Sequence, residues 1–156
     1  MISAHHCKRF LSPHLFISSL IFLVLGIPAL SISIQHLDSN CGDYLATWTL
    51  ATGITLFLLS GLFMSIAVDN FNEQHTHVMW PIYGITSILF LFYATRIVIG
   101  FALITDIRNN NTEFDQCPQQ LFYYAFYSLV ILVAHLVVSL VMLLAAVFIY
   151  CFEFCD

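Results

Sequence analysis

The stretch "LFISSLIFLVLGIPALSISI", from Leu15 to Ile34, decides the class of fold. It carries no charged residue, and about 20 residues of α-helix span the roughly 30 Å hydrocarbon core of a bilayer. Backbone groups in that core must be hydrogen-bonded within the segment, so the run predicts a transmembrane helix. Pro28 is expected to kink or break this helix.

Three further apolar runs of similar length follow along the chain. They predict an all-α membrane protein, a four-transmembrane-helix bundle with short loops. No linker, low-complexity run or internal repeat divides the chain, so residues 1–156 are expected to form a single domain. The predicted helices cover about residues 15–34, 44–68, 81–105 and 121–150.

The composition excludes a water-soluble domain. Hydrophobic residues make up 60% of the chain and charged residues 8%, whereas a soluble domain carries roughly 25% charged residues. The predicted partner is therefore the lipid bilayer. With four Lys and Arg in total and a net charge of −5, no basic patch is available, which excludes nucleic acid as a partner.

The charges that flank the first run predict the orientation. Lys8 and Arg9 precede it, while Asp38 and Asp43 follow it. Because positive residues stay on the cytoplasmic side, we expect both termini in the cytoplasm of a multi-pass protein of the plasma membrane or secretory pathway. An alternative stays open, in which the first run is a signal peptide cleaved near small residues such as Ala29.

The five cysteines divide between the two predicted sides of the membrane. Cys41 and Cys117 fall in the two outer loops, where an oxidising compartment favours a disulfide between them over two free thiols. Cys7, Cys151 and Cys155 fall on the cytoplasmic side near helix ends, where thiols stay reduced. Reversible palmitoylation is therefore a candidate modification for these three.

Other short motifs carry little chemistry. The sequence "NNT" makes Asn110 a candidate glycosylation site in the second outer loop. His75 and His77 do not form a strong ligand pattern, so no metal is predicted. No catalytic triad, Cys-x-x-Cys pair or phosphate-binding loop occurs, so we expect no enzyme activity, cofactor or small-molecule substrate.

Polar side chains form stripes on the third and fourth predicted helices. At about 100° per residue, Tyr93 and Arg96 share one face of helix three. On helix four, Tyr124, Ser128, His135 and Ser139 fall within about 60° of one another. Since these helices are consecutive and antiparallel, the two stripes are expected to face each other. The predicted intramembrane network comprises Arg96, Tyr93, Tyr127, Ser128, His135 and Ser139.

Arg96 is the strongest of these local signals, because a charge near a helix centre costs about 2.5 to 3.5 kcal/mol to insert. It is placed in the outer half of helix three, and no acidic residue lies at its depth. Its side chain either snorkels to the interface, joins an interior network, lines an ion or substrate path, or meets an acidic residue of a partner's span. His135 is expected to be neutral and bonded to a serine or tyrosine.

Small residues recur at helical spacing on the first two predicted helices. Gly53 and Ser60 share one face, Gly61–Ser65 defines another, and Ser19 and Gly26 share a face of helix one. Such residues let helix backbones approach closely. They predict contacts within the bundle, and the two faces of helix two leave contacts between protomers as an alternative.

The second half of the chain resembles the transmembrane protein 272-like family of small tetraspan proteins. The resemblance begins at "NNNTEFDQCPQQLFYYAFYSLVI" and rests on a cysteine followed by a Leu-aromatic-x-x-Ala-Phe entry into the last helix. It implies a tetraspan fold and brings no established activity or catalytic residues. The matching positions are Cys117, Leu121, Phe122, Ala125 and Phe126.

Taken together, these features predict a non-enzymatic structural or accessory protein that associates laterally with other membrane proteins or with itself. The alternative is an oligomeric channel or transport subunit, in which Arg96 and His135 line a polar path. An isolated four-helix bundle has little room for a pore, so the alternative requires several copies.

Overall fold

The structure is a computed structural model that describes residues 3–38, 44–72, 79–109 and 117–154. These ranges contain no strand. The prediction of an all-α four-helix bundle is confirmed. The four helices are α1 (Ser3–Gln35), α2 (Leu45–Asn72), α3 (Met79–Asn109) and α4 (Gln119–Phe154).

Each helix contains a segment long and apolar enough to cross a membrane, which makes the chain a multi-pass membrane protein. Mean hydropathy in these segments is between 2.0 and 2.7. The predicted runs lie within the helices or within a residue of their ends. The four segments are Ser12–Gln35, Leu45–Asn70, Pro81–Asn109 and Gln119–Ala145.

The predicted course of helix one differs from the structure in two respects. α1 begins well before Leu15, because hydropathy marks the apolar part of a helix and not its ends. The helix also continues through Pro13 and Pro28, so Pro28 does not break it, and the alternative of a kink stays a prediction. Proline is tolerated in membrane helices. The Tyr124 hydroxyl of α4 donates to the carbonyl of Leu25, next to the Val24 carbonyl that loses its helical partner at Pro28.

The helices form a closed ring in which each packs against its neighbours in the chain and α1 also packs against α4. α1 and α2 make by far the most extensive pair. α1 and α3 lie diagonally across the bundle, where only side chains such as Phe22 and Tyr93 meet. We call the end of the bundle where α1 begins the amino end, and the end where α2 begins the opposite end.

The α1–α2 pair is built on small residues repeating every seven positions. The Ser12 hydroxyl donates to the carbonyl of Ala67 at 3.1 Å. One repeat along, Ser19 and Ser60 bond to each other's backbone. One repeat further, a Cβ added to Gly26 would lie 3.3 Å from the backbone oxygen of Gly53. We call these six residues the small-residue seam. It holds the two antiparallel backbones close together.

Large apolar side chains close the centre of the bundle. Phe22 and Leu59 are completely buried, and Leu56, Tyr93 and Leu132 are 1% exposed. Rings from three helices meet here, with the centroid of Phe22 lying 5.5 Å from that of Phe63 and 5.4 Å from that of Tyr93. Packed side chains therefore fill the centre of the described bundle, where a channel would otherwise lie.

Candidate functional site

His135, on α4, is the centre of a buried polar cluster. Its side chain is 6% exposed. Nε2 lies 2.9 Å from the Oγ of Ser18 on α1, and Nδ1 lies 3.3 Å from the hydroxyl of Tyr93 on α3. One imidazole therefore links three of the four helices. Both ring nitrogens have partners, as a buried polar group requires.

The partners determine which nitrogen carries the hydrogen. The Tyr93 hydroxyl donates its single hydrogen to the carbonyl of Leu132 at 2.8 Å. It can therefore only accept from His135, which assigns the imidazole hydrogen to Nδ1. Nε2 is then an acceptor, and the hydroxyl of Ser18 donates to it. Every donor in this chain of bonds has an acceptor, so the neutral imidazole fits the cluster.

His14 extends the cluster towards the amino end of the bundle. Its ring stacks on that of His135, with centroids 6.0 Å apart and planes 9° apart. Its Nε2 lies 3.3 Å from the Oγ of Ser139. On the other side, the ring of Phe22 meets His135 edge-on at 4.7 Å. The polar groups thus extend from His14, near the start of the membrane segment of α1, to the ring of Phe22 inside the bundle.

The sequence reasoning missed the contribution of α1 to this cluster. The polar stripe of α4 faces α1 as much as α3, since His135 contacts Ser18 and Ser139 contacts His14. A signal was available in the sequence. His14 and Ser18 are four residues apart on α1, as His135 and Ser139 are on α4, so each pair lies on one face of its helix.

Tyr127 does not belong to the cluster, and its predicted place in the interior is wrong. It is 61% exposed and stacks on Tyr123 on the outside of α4, with ring centroids 6.4 Å apart. The reason is helical geometry, because Tyr127 lies about 100° around the helix from buried Ser128. Similar depth along α4 did not imply the same face.

Arg96 lies apart from His135, at the edge of the buried face of α3. Its side chain is partly exposed. Trp48 of α2 donates from Nε1 to the Arg96 backbone carbonyl at 2.9 Å. The same indole covers Gly100, where an added Cβ would overlap a ring carbon. The backbone of Arg96 is therefore fixed against α2. Among the described residues, its guanidinium has neither a hydrogen bond nor an ion pair.

The other predicted sites lie largely outside the described residues. This applies to Cys41, Asn110 and Cys155, and the side chains of Cys7 and Cys151 are likewise not described. Cys117 is described. It is 7% exposed and is not a free thiol. The Cys41–Cys117 pairing therefore stays a prediction.

No metal cluster occurs in the part of the chain that the structure describes. No group of three or more His, Cys, Asp or Glu there could hold a metal ion. An open apolar groove of about 460 Å³ lies between α1, α2 and α3. The hydroxyls of Thr86 and Ser87 in its lining already donate to carbonyls of their own helix. The groove therefore suits a hydrocarbon chain better than a polar ligand.

Comparison with known proteins gives no family for this chain. No family model matches it, and no curated protein or solved structure is significantly similar to it. The resemblance to transmembrane protein 272-like proteins stays a prediction, and any function is argued from the site itself.

Proposed function

We propose that this protein is a non-enzymatic accessory protein that associates laterally with other proteins inside the membrane. The observation that carries this proposal is Arg96, a cation within an apolar span whose guanidinium has no partner among the described residues. A cation in a membrane span normally faces a partner or water. Association with another protein would supply that partner.

The interior of the bundle supports a scaffold better than a reaction centre. Both nitrogens of His135 are engaged in hydrogen bonds within the bundle. The neighbouring side chains of Phe22 and Leu132 are almost completely buried, which leaves no room for a substrate. A general acid or base needs a substrate within hydrogen-bond reach, and this geometry does not provide one.

The channel alternative has less support. It requires Arg96 and His135 to line the same path. His135 is enclosed inside one bundle, whereas Arg96 lies at its outer edge, where its backbone carbonyl accepts a hydrogen bond from Trp48 of α2. A polar path between protomers would include Arg96 but would leave His135 inside its own bundle.

Site-specific photo-crosslinking in native membranes tests the proposal. A photoreactive residue replaces Phe92 on the side of α3 next to Arg96, and in a second variant it replaces Val98, which lies about 240° around the helix. Both positions are exposed, at 58% and 70%. We expect discrete protein adducts from at least one position, and native mass spectrometry of the mildly extracted protein should show a complex. Lipid adducts alone at both positions, with a single chain in the mass spectrum, would contradict lateral association.

A further inference from the structure

We propose that Arg96 is the docking point for a partner's transmembrane helix that carries an aspartate or glutamate at the same depth. This inference rests on the proposed lateral association and specifies its site and the chemistry of the partner. A guanidinium binds carboxylate, like phosphate, in bidentate fashion, and carboxylate is the one of the two that a protein side chain carries within a helix. Pairing the two charges removes the penalty that each would have alone in hydrocarbon.

Packing of the α3 backbone against α2, rather than an interaction of the guanidinium, fixes the position of Arg96. The indole of Trp48 holds the Arg96 carbonyl and covers Gly100 one turn away. α3 therefore cannot rotate or slide to move the guanidinium without disrupting its contact with α2. The cation stays at the border between the buried side of α3, which carries Tyr93, and the exposed side, which carries Phe92.

The described membrane segments supply no carboxylate at the depth of Arg96. Within the four membrane segments, the acidic residues are Asp69 and Asp106, and each lies within about one turn of a segment end. Asp106 is about 15 Å from Arg96 along the helix axis, beyond the reach of the side chain. The same segments of a second copy would present Asp69 and Asp106 at the same unsuitable depths. We therefore assign the complementary carboxylate to the membrane span of a different protein.

The side of α3 that carries Arg96 is otherwise apolar and faces out of the bundle. Four exposed apolar residues accompany Arg96 there at intervals of three and four positions, which places all five along one side of the helix. Their exposed fractions range from 41% to 58%. We call this the Arg96 face. Its apolar members are Ile85, Ile88, Phe92 and Ile99.

A lipid phosphate is the competing ligand, and the general lean of side chains on a helix disfavours it. Trp48 lies in the first turn of α2, which places Arg96 in the half of the bundle nearer the opposite end. Side chains lean towards the amino terminus of their own helix. In α3 this direction leads from Arg96 towards Tyr93 and away from the nearer membrane surface. To bind a lipid phosphate, the Arg96 side chain would have to turn back towards that surface. A carboxylate on a neighbouring helix at the same depth requires no such turn.

The test measures association with a synthetic transmembrane helix in phosphatidylcholine vesicles by energy transfer. The probe is a leucine–alanine helix with one glutamate at the depth of Arg96, and its matched control has glutamine instead. We expect the full-length protein to bind the glutamate helix about tenfold more tightly, equivalent to about 1.4 kcal/mol. Arg96→Lys should retain most of this preference and Arg96→Leu should abolish it. Thr95→Leu is the matched control, since Thr95 is exposed and bonded to its own helix.

Two outcomes would overturn the inference: equal binding of the glutamate and glutamine helices by the unmodified protein, or a preference that persists in Arg96→Leu. The first comparison needs no variant, so it holds even if Arg96→Leu does not fold. If Arg96 binds lipid phosphate, replacing phosphatidylcholine with an uncharged galactolipid will lower the thermal midpoint of the unmodified protein and not that of Arg96→Leu. Crosslinks from Val98 would then still support lateral association through another surface.

Discussion

Ser19 and Ser60 exchange two hydrogen bonds across the α1–α2 interface. Each hydroxyl donates to the backbone carbonyl of the other residue, and both distances are 2.9 Å. Such reciprocal bonding is only available when two helix backbones are close together, and it fixes their relative depth as well as their separation. The rest of the bundle is built against this pair of helices, because α1 and α2 form its most extensive contact.

The small-residue seam predicts different effects on stability when two glycines of α2 are each replaced by alanine. Gly53→Ala should lower the free energy of unfolding by about 1 to 3 kcal/mol through overpacking, because its Cβ would lie 3.0 Å from that of Ala29. Gly61→Ala should be neutral or slightly stabilising, because nothing lies within 4 Å of its added Cβ. Thermal unfolding in one detergent measures both, and equal effects would contradict the seam.

The contact between Trp48 and Gly100 predicts a strong coupling between α2 and α3. Gly100→Ala should destabilise the bundle by about 1 to 3 kcal/mol, since the added Cβ would overlap the indole. Trp48→Phe removes one hydrogen bond to the Arg96 carbonyl and should cost about 0.5 to 1.5 kcal/mol.

The double variant separates this coupling from general damage to the helices. The smaller phenyl ring makes room for the alanine, so Trp48→Phe with Gly100→Ala should destabilise less than the sum of the two single changes. Gly84→Ala serves as the control, because no atom lies within 4 Å of its added Cβ. Strict additivity in the double-variant cycle would mean that the indole does not occupy this position.

The His135 cluster predicts that its members act as a unit. His135→Leu leaves the Ser18 hydroxyl without its partner and should lower the free energy of unfolding by about 1 to 3 kcal/mol. Removing both partners, with Ser18→Ala and His135→Leu, should recover part of that loss, because no unsatisfied group remains. Val138→Leu is the control on the exposed side of α4. An unchanged thermal midpoint in His135→Leu would argue against the cluster.

The predicted Cys41–Cys117 disulfide is tested by peptide mapping without reduction, after free thiols have been blocked. We expect a cross-linked peptide that contains both cysteines and disappears in Cys117→Ser. Loss of the bond should lower the free energy of unfolding by about 2 to 4 kcal/mol. Recovery of both cysteines in the blocked, unlinked form would exclude the pairing. Cys117→Ser also reports on packing, since this residue is buried.

The number and type of helices could be predicted because the hydropathy of a segment is a local property. Leu15 to Ile34 needs no knowledge of the rest of the chain to be assigned to a bilayer. The spacing of Ser19, Gly26, Gly53 and Ser60 likewise indicated a contact face, because residues seven apart lie on one side of any helix. The structure adds that these two faces meet each other.

The candidate site could be predicted only in part. His135 and Tyr93 were placed in one network and lie within hydrogen-bond distance. Tyr127 was assigned to the interior from its depth alone and lies outside, because depth along a helix and direction around it are independent. His14 and Ser18 were overlooked, since nothing in the sequence of α1 states that it borders α4.

The sequence by itself determined that this chain is a four-helix membrane bundle, because composition and periodicity act within single segments. The tertiary structure decided which helix faces which and how far each is rotated. Those choices depend on contacts between residues far apart in the chain, such as Ser18 with His135 and Trp48 with Arg96. They bring His135 into the interior with its partners and leave the guanidinium of Arg96 at the outer edge, where another protein can reach it.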